Sequence, residues 1–152
     1  MEILSSYSLQ KNPLFQNLDL EERKRIFGLA EKQNYNAGDF VFQEGEEATK
    51  LFVVESGLVG IVVQLGPGNE LTIVTESEGG AFGWAAVLPP HRYTASAKCF
   101  QPSQLLALEG AKLREICHRE PRFGVKFMEG LACFIAVRLR NTNLALLNAF
   151  LK

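Results

Sequence analysis

Hydrophobic side chains change their spacing twice along the chain, and these changes divide it into three parts. In residues 12–34 they recur near one helical face from Leu18 onward. Asn17 or Asp19 is suited to cap this helix, because two glutamates follow in its first turn, where carboxylates favour the helix dipole. The pattern predicts an N-terminal helical part, bounded at residues 1–34.

Over residues 35–110 the spacing drops to two and glycines punctuate the chain, which predicts short strands joined by turns. Two alternating segments flank the sequence Gly66-Pro67-Gly68-Asn69, so a hairpin is expected there. Many short strands with close turns are typical of a sandwich or closed roll. The predicted strands cover residues 40–42, 51–54, 59–65, 71–75, 93–100 and 104–108.

Residues 111–152 return to helical spacing. A short helix over 111–118 must end near Glu120, because Pro121 restricts the residue before it. A longer helix is predicted over about 123–147. It is apolar around so much of its circumference that two sides need cover. The roll supplies one cover, and a second copy of the chain across a two-fold axis supplies the other; a simple core helix is the alternative. The predicted dimer-interface residues are Phe127, Met128, Leu131, Phe134, Ile135 and Arg138.

The composition fits one folded domain covering residues 1–152. Hydrophobic residues make up 47% and charged residues 22% of the chain, which excludes disorder. The three cysteines and two histidines are too widely spaced for a metal cluster, so no metal site is expected. No catalytic constellation is visible either, and an enzyme is not predicted. With no export signal and no membrane span, the sequence predicts a soluble cytoplasmic protein.

Charge is unevenly distributed although the net charge is only −1. Residues 1–110 carry 8 basic and 14 acidic side chains, whereas residues 111–152 carry 8 basic and 3 acidic ones. A basic helical part can indicate a nucleic-acid surface. A solvated helix face is the preferred interpretation, because no second helix pair follows that could enter a groove. Direct DNA binding is therefore not expected.

The candidate chemistry lies in residues 78–97, where glycines precede a short helical turn that two prolines end. Gly83 allows a close backbone approach, and a helix N-terminus that faces a cavity attracts anions. Arg92 carries a guanidinium that can grip a phosphate or carboxylate. Two-residue alternation places Thr94 and Ser96 on the same side as Arg92.

In this order and spacing the motifs resemble the effector domain of Crp/Fnr-type regulators and the cyclic-nucleotide-binding domains of kinases and channels. The resemblance runs from Leu14-Phe15 through Tyr35-x-Ala37-Gly38-Asp39, Phe42-x-Glu44-Gly45-Glu46 and the 51–59 segment to the 82–97 cassette and the long helix. It implies a jelly-roll β-roll with an N-terminal helix and a long C-terminal helix. It also implies a ligand inside the roll, dimerisation through the long helix, and Arg92 as the phosphate-binding arginine.

Trp84 departs from the family pattern, because it stands where nucleotide-binding members have a glutamate that holds the ribose. An indole supplies no carboxylate acceptor, so ordinary binding of cyclic AMP or cyclic GMP is not expected. The alternative for Trp84 is a core aromatic that seals the roll, and for Arg92 an ion pair with Glu78 or Glu76. The predicted ligand-binding residues are Gly83, Trp84, Ala85, Ala86, Arg92, Tyr93 and Thr94.

The leading functional prediction is a dimeric, non-enzymatic sensor or regulatory domain. Its ligand would be a small anionic, nucleotide-like or aromatic effector, with no other cofactor and an unidentified protein as a further partner. The alternative is a ligand-free structural or interaction module that dimerises through the C-terminal helix. Family members that bind DNA continue into a helix-turn-helix domain after the long helix. The sequence ends at Lys152, so we expect a stand-alone module or a fragment, with its helical last residues favouring the former.

Overall fold

The protein is described by a computed structural model covering residues 12–151. The part of the predicted N-terminal segment before residue 12 lies outside the described residues. The helices are α1 (Leu20–Phe27), α2 (Gly110–Arg119) and α3 (Pro121–Leu151). The strands are β1 (Glu31–Tyr35), β2 (Phe40–Phe42), β3 (Lys50–Ser56), β4 (Val59–Gly66), β5 (Asn69–Glu76), β6 (Ala81–Phe82), β7 (Ser96–Cys99) and β8 (Ser103–Glu109).

The N-terminal helix begins as predicted but ends early. The Asp19 side chain accepts from the Glu22 backbone N–H, and the Glu22 side chain accepts from the Asp19 N–H, which forms a capping box. The prediction of helix up to residue 34 is wrong, because Glu31–Tyr35 form strand β1. That strand pairs antiparallel with β8. Backbone hydrogen bonds to β8 stabilise it, although its sequence shows no apolar alternation.

Two four-stranded antiparallel sheets form the roll, in the orders β1-β8-β3-β6 and β2-β7-β4-β5. The predicted hairpin joins β4 to β5, with Gly66 paired to Asn69. The predicted strand over residues 93–100 is shorter, because β7 starts only at Ser96. The fold class is confirmed: a jelly-roll β-roll with a helix before it and a long helix after it.

Strand β3 separates two hydrophobic cores, because both of its faces are buried. Leu51 and Val53 pack with the helices, whereas Phe52 and Val54 point into the roll. Strand β8 alternates in the same way. The helical core is closed by α3, since its Gly130 lies against the turn before α1. A Cβ at Gly130 would come within 2.5 Å of the Leu14 carbonyl oxygen.

The predicted dimer-interface residues lie on the side of α3 that faces the chain's own core. Phe127, Leu131 and Phe134 are buried, and Met128 and Ile135 pack partly against the same core. The three buried aromatic and leucine side chains are therefore covered within one chain, and the predicted interface on this side of α3 stays a prediction. The free face of α3 carries different apolar residues, including Val137, Leu139, Leu144, Leu147 and Phe150.

Candidate functional site

The 82–97 cassette begins with a turn that only glycine fits easily. Gly83 has a φ of 85°, and a Cβ there would meet the Lys50 carbonyl oxygen at 3.0 Å. A 3₁₀ helix over Trp84–Val87 follows, which confirms the short helical turn that was predicted there. The Arg114 guanidinium donates a hydrogen bond to the Ala86 carbonyl oxygen. This bond from α2 fixes the cassette to the helical layer.

Aromatic rings fill the inside of the roll beside the cassette. The rings of Phe42 and Tyr93 are stacked with 3.5 Å between their centroids, and those of Phe52 and Phe82 are stacked at 5.3 Å. The Tyr93 hydroxyl donates to the Lys50 carbonyl oxygen at 2.7 Å. Burial raises the pKa of this hydroxyl above its ordinary value, so Tyr93 stays neutral and acts as a packed donor.

The space left between these rings and the cassette is a cavity of about 20 Å³. Five of the seven residues predicted to bind a ligand line it, and a sixth, Ala86, is fully buried outside it. Trp84 is half-buried and packs against both hydrophobic cores. The cavity is lined by Phe42, Ile61, Gly83, Trp84, Ala85, Tyr93, Thr94, Ala95 and Arg138.

Arg92 lies apart from this cavity. Its side chain is exposed, and Nη1 donates to the Gly45 carbonyl oxygen at 3.1 Å. Its backbone forms an isolated bridge with Glu47. The alternation predicted Ser96 on the same side as Arg92. In the structure the Ser96 hydroxyl accepts a hydrogen bond from the Glu44 N–H. The guanidinium is therefore anchored to the turn at Gly45 and not to the roll interior.

Arg138 from α3 is the cation that lines the cavity, whereas the sequence analysis considered it only as a dimer-interface residue. Its Nη2 donates to Glu76 Oε2 at 2.9 Å, and the two side chains are 12% and 19% exposed. The guanidinium carbon lies 5.1 Å from the centre of the Phe134 ring. The signal in the sequence was an arginine four residues after the buried Phe134, and therefore on the same face of the helix.

Burial opposes both charges of this ion pair. Desolvation raises the pKa of Glu76 although Arg138 acts in the opposite direction. It likewise lowers the pKa of Arg138, against the attraction of Glu76. Glu76 thus takes Arg138 as its partner, so the predicted alternative that joined Glu76 to Arg92 is not found.

A groove of about 270 Å³ lies on the other side of Arg138. It runs between α3 and the turn from β5 to β6, and its walls include Glu76, Glu78, Phe134 and Asn141. Among residues 12–151, no group of three or more His, Cys, Asp or Glu side chains is arranged to hold a metal ion. The same described residues include no helix with the length and hydrophobicity needed to span a membrane.

Comparison with known proteins places this arrangement in a family. The model of the cyclic nucleotide-binding domain matches residues 32–120, which is more than half of the chain. The chain belongs to the cyclic nucleotide-binding domain family. The matched segment runs from β1 through the cassette to the end of α2, and the resemblance to Crp/Fnr-type effector domains is confirmed.

Solved structures of proteins with less than a third of their residues identical to this chain show the same fold. The N-terminal domain of a transcriptional regulator from Streptomyces coelicolor superposes with a TM-score of 0.72 and 27% identity, over 91% of this chain and 94% of that one. The catabolite activator protein of Thermus thermophilus superposes with a TM-score of 0.75 and 29% identity, over 88% and 61% of the two chains.

Among curated proteins, the cAMP-dependent protein kinase regulatory subunit of Dictyostelium discoideum is 31% identical over 72% of this chain. The match covers 33% of that subunit. The chain thus spans about a third or less of the length of the curated relatives it matches.

Proposed function

We propose that this chain is a cytoplasmic, non-enzymatic regulatory domain whose roll does not bind cyclic AMP or cyclic GMP with the usual family contacts. The observation that carries the proposal is the narrow space beside the cassette, where a stack of aromatic rings leaves about 20 Å³. That volume holds roughly one water molecule, whereas small-molecule sites span about 300–1,000 Å³. The regulatory role is supported by family membership and by the regulatory relatives.

The polar contacts of the site support the same proposal. Trp84 replaces the family's ribose-binding glutamate and packs between the two cores. Arg92 donates to the Gly45 carbonyl oxygen away from the cavity. Loss of one charge-assisted hydrogen bond costs about 1.5–3 kcal/mol, or roughly ten- to a hundredfold in affinity. Two such losses and the narrow space beside the cassette weaken the usual binding mode together.

Calorimetric titration of cyclic AMP and cyclic GMP tests the proposal. We expect no measurable binding to the native chain at ligand concentrations of about 100 µM. Trp84→Glu restores a carboxylate, and we expect it to bind better than Trp84→Gln, which matches its size without the charge. Micromolar binding to the native chain would overturn the proposal. Equal behaviour of the two variants would show that the roll has diverged beyond this position.

We also propose that α3 pairs with a second copy of the chain through its free face. Val125, Ala132, Leu139 and Leu146 are exposed and seven residues apart. The residues four positions after each of them, Glu129, Ala136, Asn143 and Phe150, are exposed as well. Six of these eight residues are apolar, and alternating spacings of four and three residues are those of the core positions of a two-stranded coiled coil.

Light scattering after size-exclusion chromatography tests this pairing. The native chain is expected to be a dimer at tens of micromolar, and Leu139→Glu is expected to be a folded monomer. Leu65→Glu is the matched control, because Leu65 is similarly exposed but lies on β4. A native monomer, or a Leu139→Glu dimer, would contradict the proposal.

A second candidate is a ligand-free structural module that dimerises through the same helix, and the small cavity favours it. A thermal-shift screen with nucleotides and anionic metabolites separates the two candidates. Stabilisation by one compound supports a sensor with a divergent effector site. Absence of any stabilising compound, together with a dimer, supports the structural module.

A further inference from the structure

Two polar residues interrupt the free face of α3. This face, the dimer stripe, consists of eight exposed residues: Val125, Glu129, Ala132, Ala136, Leu139, Asn143, Leu146 and Phe150. The two exceptions to its apolar character are Glu129 and Asn143. Because all eight side chains are exposed, the core of the chain does not dictate which residue types stand there.

Asn143 stands in the middle of the apolar part of the dimer stripe. Leu139 precedes it by four residues and Leu146 follows it by three, with exposed fractions of 61% and 41%. Pairing along the stripe would enclose Asn143 between these leucines and remove its amide from water. An enclosed amide without a hydrogen-bond partner lowers the population of that state at least about fivefold. The facing helix must therefore supply a polar partner.

Glu129 does not impose the same requirement. It lies near the N-terminal end of the stripe, where its neighbour three residues later is only Ala132. A long carboxylate side chain beside a small residue at the end of a seam keeps its access to water. Opposition of two such exposed charges therefore costs little. Asn143 is the polar residue that the geometry of a pair has to accommodate.

The heptad assigns Asn143 to an a position. A d position is followed by an a position after four residues, so the four d positions of the stripe are all apolar: Val125, Ala132, Leu139 and Leu146. In an antiparallel pair each a residue meets a d residue, and Asn143 would then face an apolar side chain in every register. Only a parallel arrangement sets a residues against a residues.

The parallel registers differ in what they offer Asn143. In register, it meets the partner's Asn143. A shift of one heptad sets it against Ala136 or Phe150, which are apolar. A shift of two heptads sets it against Glu129 but leaves only half of the stripe paired. An amide carries both a donor and an acceptor, so two identical copies satisfy each other.

We propose that Asn143 selects a parallel, in-register pair of α3 helices by hydrogen bonding to the partner's Asn143. This inference rests on the proposed function, because it names the residue that fixes the geometry of the proposed dimer. A single asparagine at an a position specifies register and oligomeric state in coiled coils at a cost in stability. The occupant of the stripe is thus a second copy of this chain.

Reversible disulfide cross-linking in a glutathione buffer tests the orientation. The background is Cys133→Ser, since Cys133 is the exposed cysteine of the chain. A chain with Phe150→Cys cross-links to its own copy only in the parallel register, where facing a positions are within disulfide reach. A mixed disulfide between a Val125→Cys chain and a Phe150→Cys chain forms only in an antiparallel pair, because the two positions lie about 37 Å apart along one helix.

We expect the parallel disulfide to exceed the mixed one at least about twenty-fivefold, since the antiparallel pair leaves two amides unsatisfied at about fivefold each. Asn143→Leu is expected to lower this ratio at least tenfold without weakening the dimer. Adding Ala136→Asn to it is expected to restore the ratio, because the asparagine then stands at another a position. Asn148→Leu is the matched control, because Asn148 is exposed on the side of α3 that lines a groove with β5, and it should leave the ratio unchanged.

A native ratio near one would overturn the proposal, and so would an unchanged ratio in Asn143→Leu. Failure of the proposed dimer is distinguishable, because light scattering then shows monomers for the native chain and for Asn143→Leu, with neither disulfide formed. That result refutes the dimer and this inference together, whereas a native dimer without the expected ratio refutes the inference alone. Cyclic-nucleotide binding by the roll is measured separately and leaves the cross-linking ratio unaffected.

Discussion

Tyr93 closes the inside of the roll with its ring and ties it to β3 with its hydroxyl. The ring is 6% exposed and lies 3.5 Å from the Phe42 ring, centroid to centroid. The hydroxyl donates to the Lys50 carbonyl oxygen at 2.7 Å and accepts from the Lys50 N–H at 3.3 Å. Two substitutions separate these contributions: Tyr93→Phe removes only the hydroxyl, and Tyr93→Ala removes both.

The expected effects on stability follow from these contacts. Tyr93→Phe leaves a carbonyl of the β3 backbone without this donor, which costs about 1–3 kcal/mol. Tyr93→Ala also removes a buried ring and its stacking contact with Phe42, and such truncations cost about 3–5 kcal/mol. A domain of this size has about 5–15 kcal/mol of unfolding free energy, so Tyr93→Ala removes a large share of it.

Urea unfolding followed by the fluorescence of Trp84 measures both losses. Tyr93→Ala also leaves an apolar cavity, and such cavities bind benzene. Benzene is therefore expected to raise the melting temperature of Tyr93→Ala and not that of Tyr93→Phe. A loss below about 2 kcal/mol in Tyr93→Ala would refute the reasoning, because the ring would then not be what fills the roll. Equal losses in the two variants would refute it as well.

Three further predictions concern the contacts around the roll. Gly130→Ala should lose about 1–2 kcal/mol in urea unfolding despite the better helix propensity of alanine, because its Cβ would meet the Leu14 carbonyl oxygen at 2.5 Å. Burial raises the pKa of Glu76 above 4.5, so folding favours its protonated form. The unfolding free energy should therefore fall as pH rises above 4.5 and through the raised pKa, and Glu76→Gln should remove this fall. Arg114→Met should cost about 1.5–3 kcal/mol and increase hydrogen exchange in the cassette, since Arg114 donates to the Ala86 carbonyl oxygen.

The strand at Glu31–Tyr35 was missed because its sequence carries no apolar alternation. Its side chains are mostly exposed, and the strand exists through backbone pairing with β8 at the edge of a sheet. Strand periodicity reports a buried face, and this strand has hardly any. Gly28, which caps the end of α1, was the available sign that the helix stops before it.

In the cassette, the alternation of side chains along a strand does not predict which residues face inward. The glycine turn and the short helix at Trp84 could be predicted, because both depend on local backbone preferences. Which of Arg92 and Tyr93 faces inward could not, since a shift of one residue reverses every side chain. Regular pairing starts only at Ser96, so residues 92–95 take their orientation from tertiary contacts such as the stack on Phe42.

The two faces of α3 raise the same difficulty in a helix. Its apolar circumference predicts that two sides need cover, but it does not say which side meets the roll. The large aromatics Phe127 and Phe134 fill the core, whereas Leu139 and Leu146 remain outside. Volume complementarity between α3 and the helical core makes this choice, and one-dimensional spacing contains no information about it.

Arg138 and Leu139 are neighbours on α3, so the cavity of the roll and the proposed dimer stripe share one helix. A ligand shifts a conformational equilibrium only by its difference in affinity for the two states. One exchanged charge-assisted bond supplies about 1.5–3 kcal/mol, whereas a switch from 1:99 to 99:1 needs about 5.5 kcal/mol. A single domain would therefore respond only partly. Two domains joined along α3 would combine about 3–6 kcal/mol from two sites, so pairing of the helices is what would make a sharp response feasible.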